Sequence, residues 1–106
     1  MPEFVNVAPV EEIPPGTGRT VEVHGVWIAL FNVDGNFYAI DNTCPHAGGP
    51  LGEGHLEGTV VECPWHGWRF NVQTGARPEN PAITVACCPV RIEGNQVQVA
   101  LPENFK

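Results

Sequence analysis

Positive charge is what this chain has least of: five lysines and arginines stand against twelve aspartates and glutamates, for a formal net charge of -7. So acidic a chain disfavours nucleic acid and anionic membrane as partners, because their phosphates repel it. Long apolar runs are missing too; nothing approaches the roughly 18 residues of a membrane-spanning helix. The opening Met1–Val7 stretch has neither the basic flank nor the apolar segment of a secretory signal. A cytoplasmic chain is the expectation. Cysteines number only four, and in a reducing cytosol they argue for a metal site or packing thiols rather than a disulfide framework. No window carries an apolar stripe at helical spacing, which leaves strands to build the fold.

What is present suits that. With 106 residues and 42% hydrophobic content the chain has material for one core, residues 1–106. Phe4 to Ala8 alternates weakly before Pro9, and Pro14-Pro15-Gly16 forbids a helix. Thr20 to His24 sets Thr20, Glu22 and His24 on one face and Val21 and Val23 on the other. Val26 to Phe31 is an apolar run of strand length, and Asp34-Gly35-Asn36 turns it back onto Phe37 to Ile40. Residues His55 to Glu62 read as a strand-like segment, and Ile83 to Ile92 as two strands or one bent edge strand broken at Pro89. Glu93-Gly94-Asn95 turns into the alternating Gln96 to Leu101. Strands recurring about every ten residues with Gly and Pro between them predict an all-β sandwich or small barrel.

The chemistry is concentrated in CPHAGGPLGEGHLEGTVVECPWHGWRF, Cys44 to Phe70. Cys44 and His46 are one residue apart, Cys63 and His66 two, and sixteen residues separate His46 from Cys63. Two thiolates and two imidazoles from Gly- and Pro-rich loops suit a soft metal centre. A structural zinc takes Cys2His2, and a [2Fe-2S] cluster takes two Cys on one iron and two His on the other. The C-x-H spacing is shorter than the usual zinc pairs, which favours the cluster.

Cys44-Pro45-His46 followed by Cys63-Pro64-Trp65-His66-Gly67 resembles the Rieske iron–sulfur motif, and the likeness extends to Pro89-Val90-Arg91-Ile92-Glu93-Gly94. The resemblance implies an all-β Rieske-type sandwich base, residues 1–41 and 76–106, with a cluster-binding two-loop subdomain over 42–75. It assigns Cys44 and Cys63 to one iron and His46 and His66 to the other, with the histidines as electron exit. Gly48 and Gly49 are expected to let backbone N–H groups approach the bridging sulfides. High-potential members carry a loop-bridging disulfide and a hydroxyl after the second His-Gly; here the corresponding positions are Gly49, Trp65 and Trp68. A potential at the low end of the Rieske range, roughly -150 mV, follows.

That pattern is similar to the small ferredoxins of bacterial aromatic-ring dioxygenase systems. It implies a one-electron carrier, not an enzyme, that takes electrons from a NAD(P)H-dependent flavoprotein reductase and passes them to a terminal oxygenase. Docking should be transient and the carrier a monomer. A small Rieske-type subunit of an assimilatory nitrite reductase and a zinc-stabilised binding module are the alternatives. A self-sufficient oxygenase needs a further iron domain for which 106 residues leave no room. Pro50, Leu51 and Trp65 are read as cluster cover and apolar docking rim, and Trp68 and Phe70 as packing. His24 reads as a surface histidine, His55 as a strand start, Cys87-Cys88 as packing thiols and Glu11-Glu12 as a solvated turn.

Overall fold

Tight turns shape the first half of the chain. His24 and Gly25 both adopt positive φ, at 50° and 80°, as do Asp34 and Gly35, at 52° and 91°. Two central residues of that kind match the right-handed twist of flanking strands, so each pair closes a hairpin. The computed structural model describes residues 3–45, 48–65 and 67–102. Its strands are β1 (Val5–Pro9), β2 (Thr17–Val23), β3 (Val26–Val33), β4 (Asn36–Asp41), β5 (His55–Glu57), β6 (Val60–Glu62), β7 (Arg69–Asn71), β8 (Ala76–Arg77), β9 (Asn80–Thr84), β10 (Cys87–Cys88), β11 (Val90–Glu93) and β12 (Gln96–Val99). Apart from 3-10 turns at Val10–Glu12 and Leu51–Glu53, every regular element among the described residues is a strand. No helix among them is long and apolar enough to cross a membrane.

The strands form a four-stranded sheet ordered β10-β4-β3-β2, two three-stranded sheets ordered β1-β12-β11 and β5-β6-β7, and the β8-β9 pair. The four-stranded sheet is the shared wall, because its central strands bury both faces. Along β3, Ile28 and Leu30 enter one core, with Val21, Val23, Ala39, Val97 and Val99. Their neighbours Ala29 and Phe31 enter a second core with Ile40, Leu51, Val61, Phe70, Cys44 and Cys63. Period-2 geometry does this: consecutive side chains leave a strand on opposite sides. A strand buried on both faces has no polar face, which explains the unbroken apolar run from Ile28 to Phe31, all four fully buried.

Several sequence expectations change in detail. His24 lies in the turn after β2, not within the strand. The segment His55 to Glu62 is a hairpin, with Glu57 paired to Val60 across a Gly58-Thr59 turn; Gly58 has φ 62°. Residues 80–93 form three short strands rather than two or one, because Val85 turns away to donate to the Gly75 carbonyl at 2.8 Å before Cys87 pairs with Ile40. Trp27, expected in an apolar run, projects from β3 and is 57% exposed.

Candidate metal centre

The two cysteine loops are one backbone turn used twice. In the first, Gly48 N–H donates to the Cys44 carbonyl at 2.7 Å and Cys44 N–H donates to the Gly49 carbonyl at 3.0 Å. In the second, Gly67 N–H donates to the Cys63 carbonyl at 3.0 Å and Cys63 N–H donates to the Trp68 carbonyl at 2.7 Å. The bonds run from the same offsets, four and five residues after each cysteine. Gly48 and Gly67 have φ of 79° and 80°, a left-handed conformation that closes such a turn and that glycine adopts without penalty. The loops are therefore equal in length. His46 and His66 differ in spacing only because the first loop reads Cys-Pro-His-Ala-Gly and the second Cys-Pro-Trp-His-Gly.

Gly49 joins the turns. A Cβ built on it would lie 2.7 Å from Cys63 Sγ and 2.9 Å from Trp65 Cγ, so the backbone of the first loop rests directly against the thiol of the second. Both Cys44 and Cys63 are 1% exposed. Of the four predicted ligands, the structure thus brings together the two sulfurs' loops; His46 and His66 lie outside the described residues. Two buried soft donors, with the Gly49 backbone brought up against one of them where no side chain would fit, match a thiolate-bound iron–sulfur group.

Each loop is pinned differently. The first hangs from Asn42, a buried residue at the end of β4 whose Oδ1 accepts from Gly52 N–H at 2.8 Å and from Thr20 Oγ1 at 3.0 Å. The Asn42 carbonyl also accepts from Leu51 N–H at 2.7 Å. An antiparallel bridge between Thr43 and Pro50 closes the base of this loop. The second loop leads into Trp68 and Phe70, whose ring centroids are 6.5 Å apart; Phe70 is fully buried. The Arg77 guanidinium lies over the Trp68 ring, 3.9 Å from its centroid. Below it, Arg69 pairs with Glu79, and that hydrogen bond holds the Glu79 carboxyl below its ordinary pKa, with lesser help from its own backbone.

The remaining residues sort by burial. Trp65 is 58% exposed and lines a depression with Glu53, His55, Glu62, Cys63, Pro64 and Gly67. Leu51 is fully buried in the second core, so it covers the loops from beneath and forms no part of a rim. His55 opens β5. Cys87 and Cys88 form no disulfide and face opposite ways, one exposed and one buried; burial pushes the Cys88 thiol up to about 12. Sequence reasoning missed Asn42, Thr20 and Arg77. Asn at a strand end is a general signal for local backbone capture; the other two carry none.

Fold and site define a class: a small all-β protein with a buried pair of cysteine turns docked on one face of a sandwich. The chain belongs to the Rieske [2Fe-2S] domain family, whose model matches residues 3–91. It is 38% identical over 100 residues to the ferredoxin component of the naphthalene 1,2-dioxygenase system of Pseudomonas aeruginosa, covering 93% of this chain and 96% of that one. Among solved structures, it superposes on a chain in a complex of reduced oxygenase and oxidized ferredoxin in carbazole 1,9a-dioxygenase. There the TM-score is 0.86 and the identity 34%, over 97% of both chains. A putative NADH-dependent nitrite reductase small subunit from Mycobacterium tuberculosis superposes with a TM-score of 0.88 at 24% identity, covering 96% of this chain and 97% of that one; it shares the fold.

Proposed function

We propose that Cys44, His46, Cys63 and His66 hold the family's [2Fe-2S] cluster, and that the chain carries single electrons from a NAD(P)H-dependent flavoprotein reductase to a terminal aromatic-ring-hydroxylating oxygenase. The observation that carries this reading is the pair of equivalent turns, with Gly49 of one against Cys63 of the other. When bound, the cluster takes up and releases one electron. The residues around it supply burial and position: Cys44 and Cys63 keep the sulfur side dry, while Pro64 and Trp65 stand at the surface. Glu53 and Glu62 flank that tip, and with the net charge of -7 they favour encounter with a basic partner surface and a rate that falls with salt. Docking buries less than about 1,200 Å², as for other electron-transfer encounters. Residues 42–75 act as the cluster-binding unit on a base of 1–41 and 76–106, in a cytoplasmic monomer.

The nitrite-reductase reading rests on the fold alone, whereas the dioxygenase ferredoxins are nearer in sequence; co-purification with a large sirohaem-containing chain would revive it. The test is the visible absorption and low-temperature EPR of dithionite-reduced protein. A red-brown oxidised form with stoichiometric iron and sulfide, and a reduced-state EPR signal of a [2Fe-2S] centre with mixed Cys/His ligation, is the expected result. A colourless, EPR-silent protein that holds zinc and cannot be reconstituted with iron and sulfide overturns the proposal in favour of a zinc-stabilised module.

A further inference from the structure

The arginines of this chain are not equivalent. Arg19 pairs with Glu12, Arg69 with Glu79, and Arg91 donates to Gln98 Oε1. Arg77 makes no ion pair among the described residues, and its Nε is buried without a hydrogen-bond acceptor. Desolvating a guanidinium N–H with no acceptor is unfavourable, so something else must hold it there. The face of Trp68, 3.9 Å away, provides one attraction. Trp68 in turn accepts the Cys63 N–H through its carbonyl at 2.7 Å, so the cation is coupled through a single residue to a cysteine of the second loop. Arg77 itself comes from β8, outside that loop and braced by β9, where Arg77 pairs with Asn80.

We propose that Arg77 is a positioning residue for the second loop and that its fixed positive charge raises the reduction potential of the cluster. The inference rests on the cluster reading above. One-electron reduction adds a negative charge between the cysteine loops, and a permanent cation on their flank stabilises the reduced form over the oxidised one. Glu79 opposes this weakly: it is exposed and hydrogen-bonded to Arg69, and the attraction of Arg77 for its carboxyl is the smallest of its interactions.

The test compares midpoint potentials of the full-length, cluster-loaded chain by spectroelectrochemical titration. Arg77→Met keeps an apolar stem on the Trp68 face and removes the charge. Iron and sulfide content should stay at the wild-type level, and the equilibrium constant for reduction should fall about fourfold, or about 35 mV downward at about 59 mV per tenfold for one electron. Arg77→Lys, which keeps the charge, should show less than half of that shift. Glu79→Gln, a change at an exposed site, should move the midpoint upward, by about twofold in the constant. Fully loaded Arg77→Met with an unchanged midpoint overturns the proposal, as does an equal fall in Arg77→Met and Arg77→Lys. If Arg77→Met fails to load, Arg77→Gln, a polar neutral side chain of similar reach, decides against Arg77→Lys: a midpoint that falls in Arg77→Gln and holds in Arg77→Lys supports the role of the charge, and equal midpoints in the two overturn it. A wild-type chain without iron and sulfide overturns the cluster reading instead.

Discussion

The first cysteine loop hangs on hydrogen bonds and the second on side-chain packing. Asn42 collects Thr20, Leu51 and Gly52 at the root of the first. Below the second, Phe70 fills the core and Trp68 lies under Arg77. Yet the turns themselves are closed by the same two backbone bonds. The contrast teaches that the turn geometry belongs to the Cys-x-x-x-Gly unit, while its placement is left to whatever the neighbouring sheet offers. The first loop leaves β4 of the large sheet and can borrow Thr20 from that sheet's edge strand β2. The second joins β6 to β7 in the three-stranded β5-β6-β7 sheet and needs an apolar plug.

Breaking the contact that unites the two loops should have the largest effect. Cys63→Ser is expected to abolish most cluster loading, by roughly tenfold or more in iron and sulfide, since a hydroxyl is a far poorer ligand for soft metal centres than a thiolate. Gly49→Ala should lower loading as well, because its Cβ would fall 2.7 Å from Cys63 Sγ; Gly48→Ala, with open space around it, should cost only backbone strain of about 1–2 kcal/mol. Iron and sulfide assay of purified protein checks all three.

Next come the two anchors. Phe70→Ala should destabilise the fold by about 3–5 kcal/mol, the usual loss for a large core aromatic, as read from urea denaturation of the cluster-free chain. Asn42→Ala leaves the buried Gly52 N–H and the Thr20 hydroxyl without their acceptor and should cost about 2 kcal/mol. If Asn42→Ala proves the more damaging, the polar anchor rather than the plug dominates. Both denaturation curves should be taken on one preparation.

The smallest effect concerns Glu79. Its folded-state pKa lies below the ordinary value because it accepts a hydrogen bond from Arg69, so its contribution is present above the unfolded pKa and disappears as pH falls through the folded one. Wild type should therefore melt slightly above Glu79→Gln at neutral pH, with the gap closing in the acid range below the ordinary carboxylate value of 4.5. A gap that persists in acid would show that packing, not the ion pair, separates the two.

Much of this was legible locally. The hairpins at Asp34-Gly35 and Gly94-Asn95 follow from turn chemistry within four residues, and the alternation Val21, Val23 in β2 appears as burial on one face. The sequence shows His55–Glu62 as one strand-like segment because Gly58-Thr59 carries only one glycine and a β-branched residue, a weak turn signal. For Leu51 the sequence leaves cover and rim both open, because a leucine after Gly-Gly-Pro has no neighbours in sequence to bury it; the second core excludes the rim by burying it from β3, β6 and β7.

By itself the sequence determined the strand-rich architecture and the two cysteine turns with their glycines, all of which depend on interactions a few residues apart. It also carried the motif that marks the Rieske family. The tertiary structure decided that β3 feeds two cores, that Gly49 meets Cys63, that Asn42 is buried while Trp27 is not, and that Arg77 covers Trp68. Those outcomes depend on which distant segments share a surface. A side chain's burial and charge partners are set by the packing of the whole chain, and no local spacing encodes them.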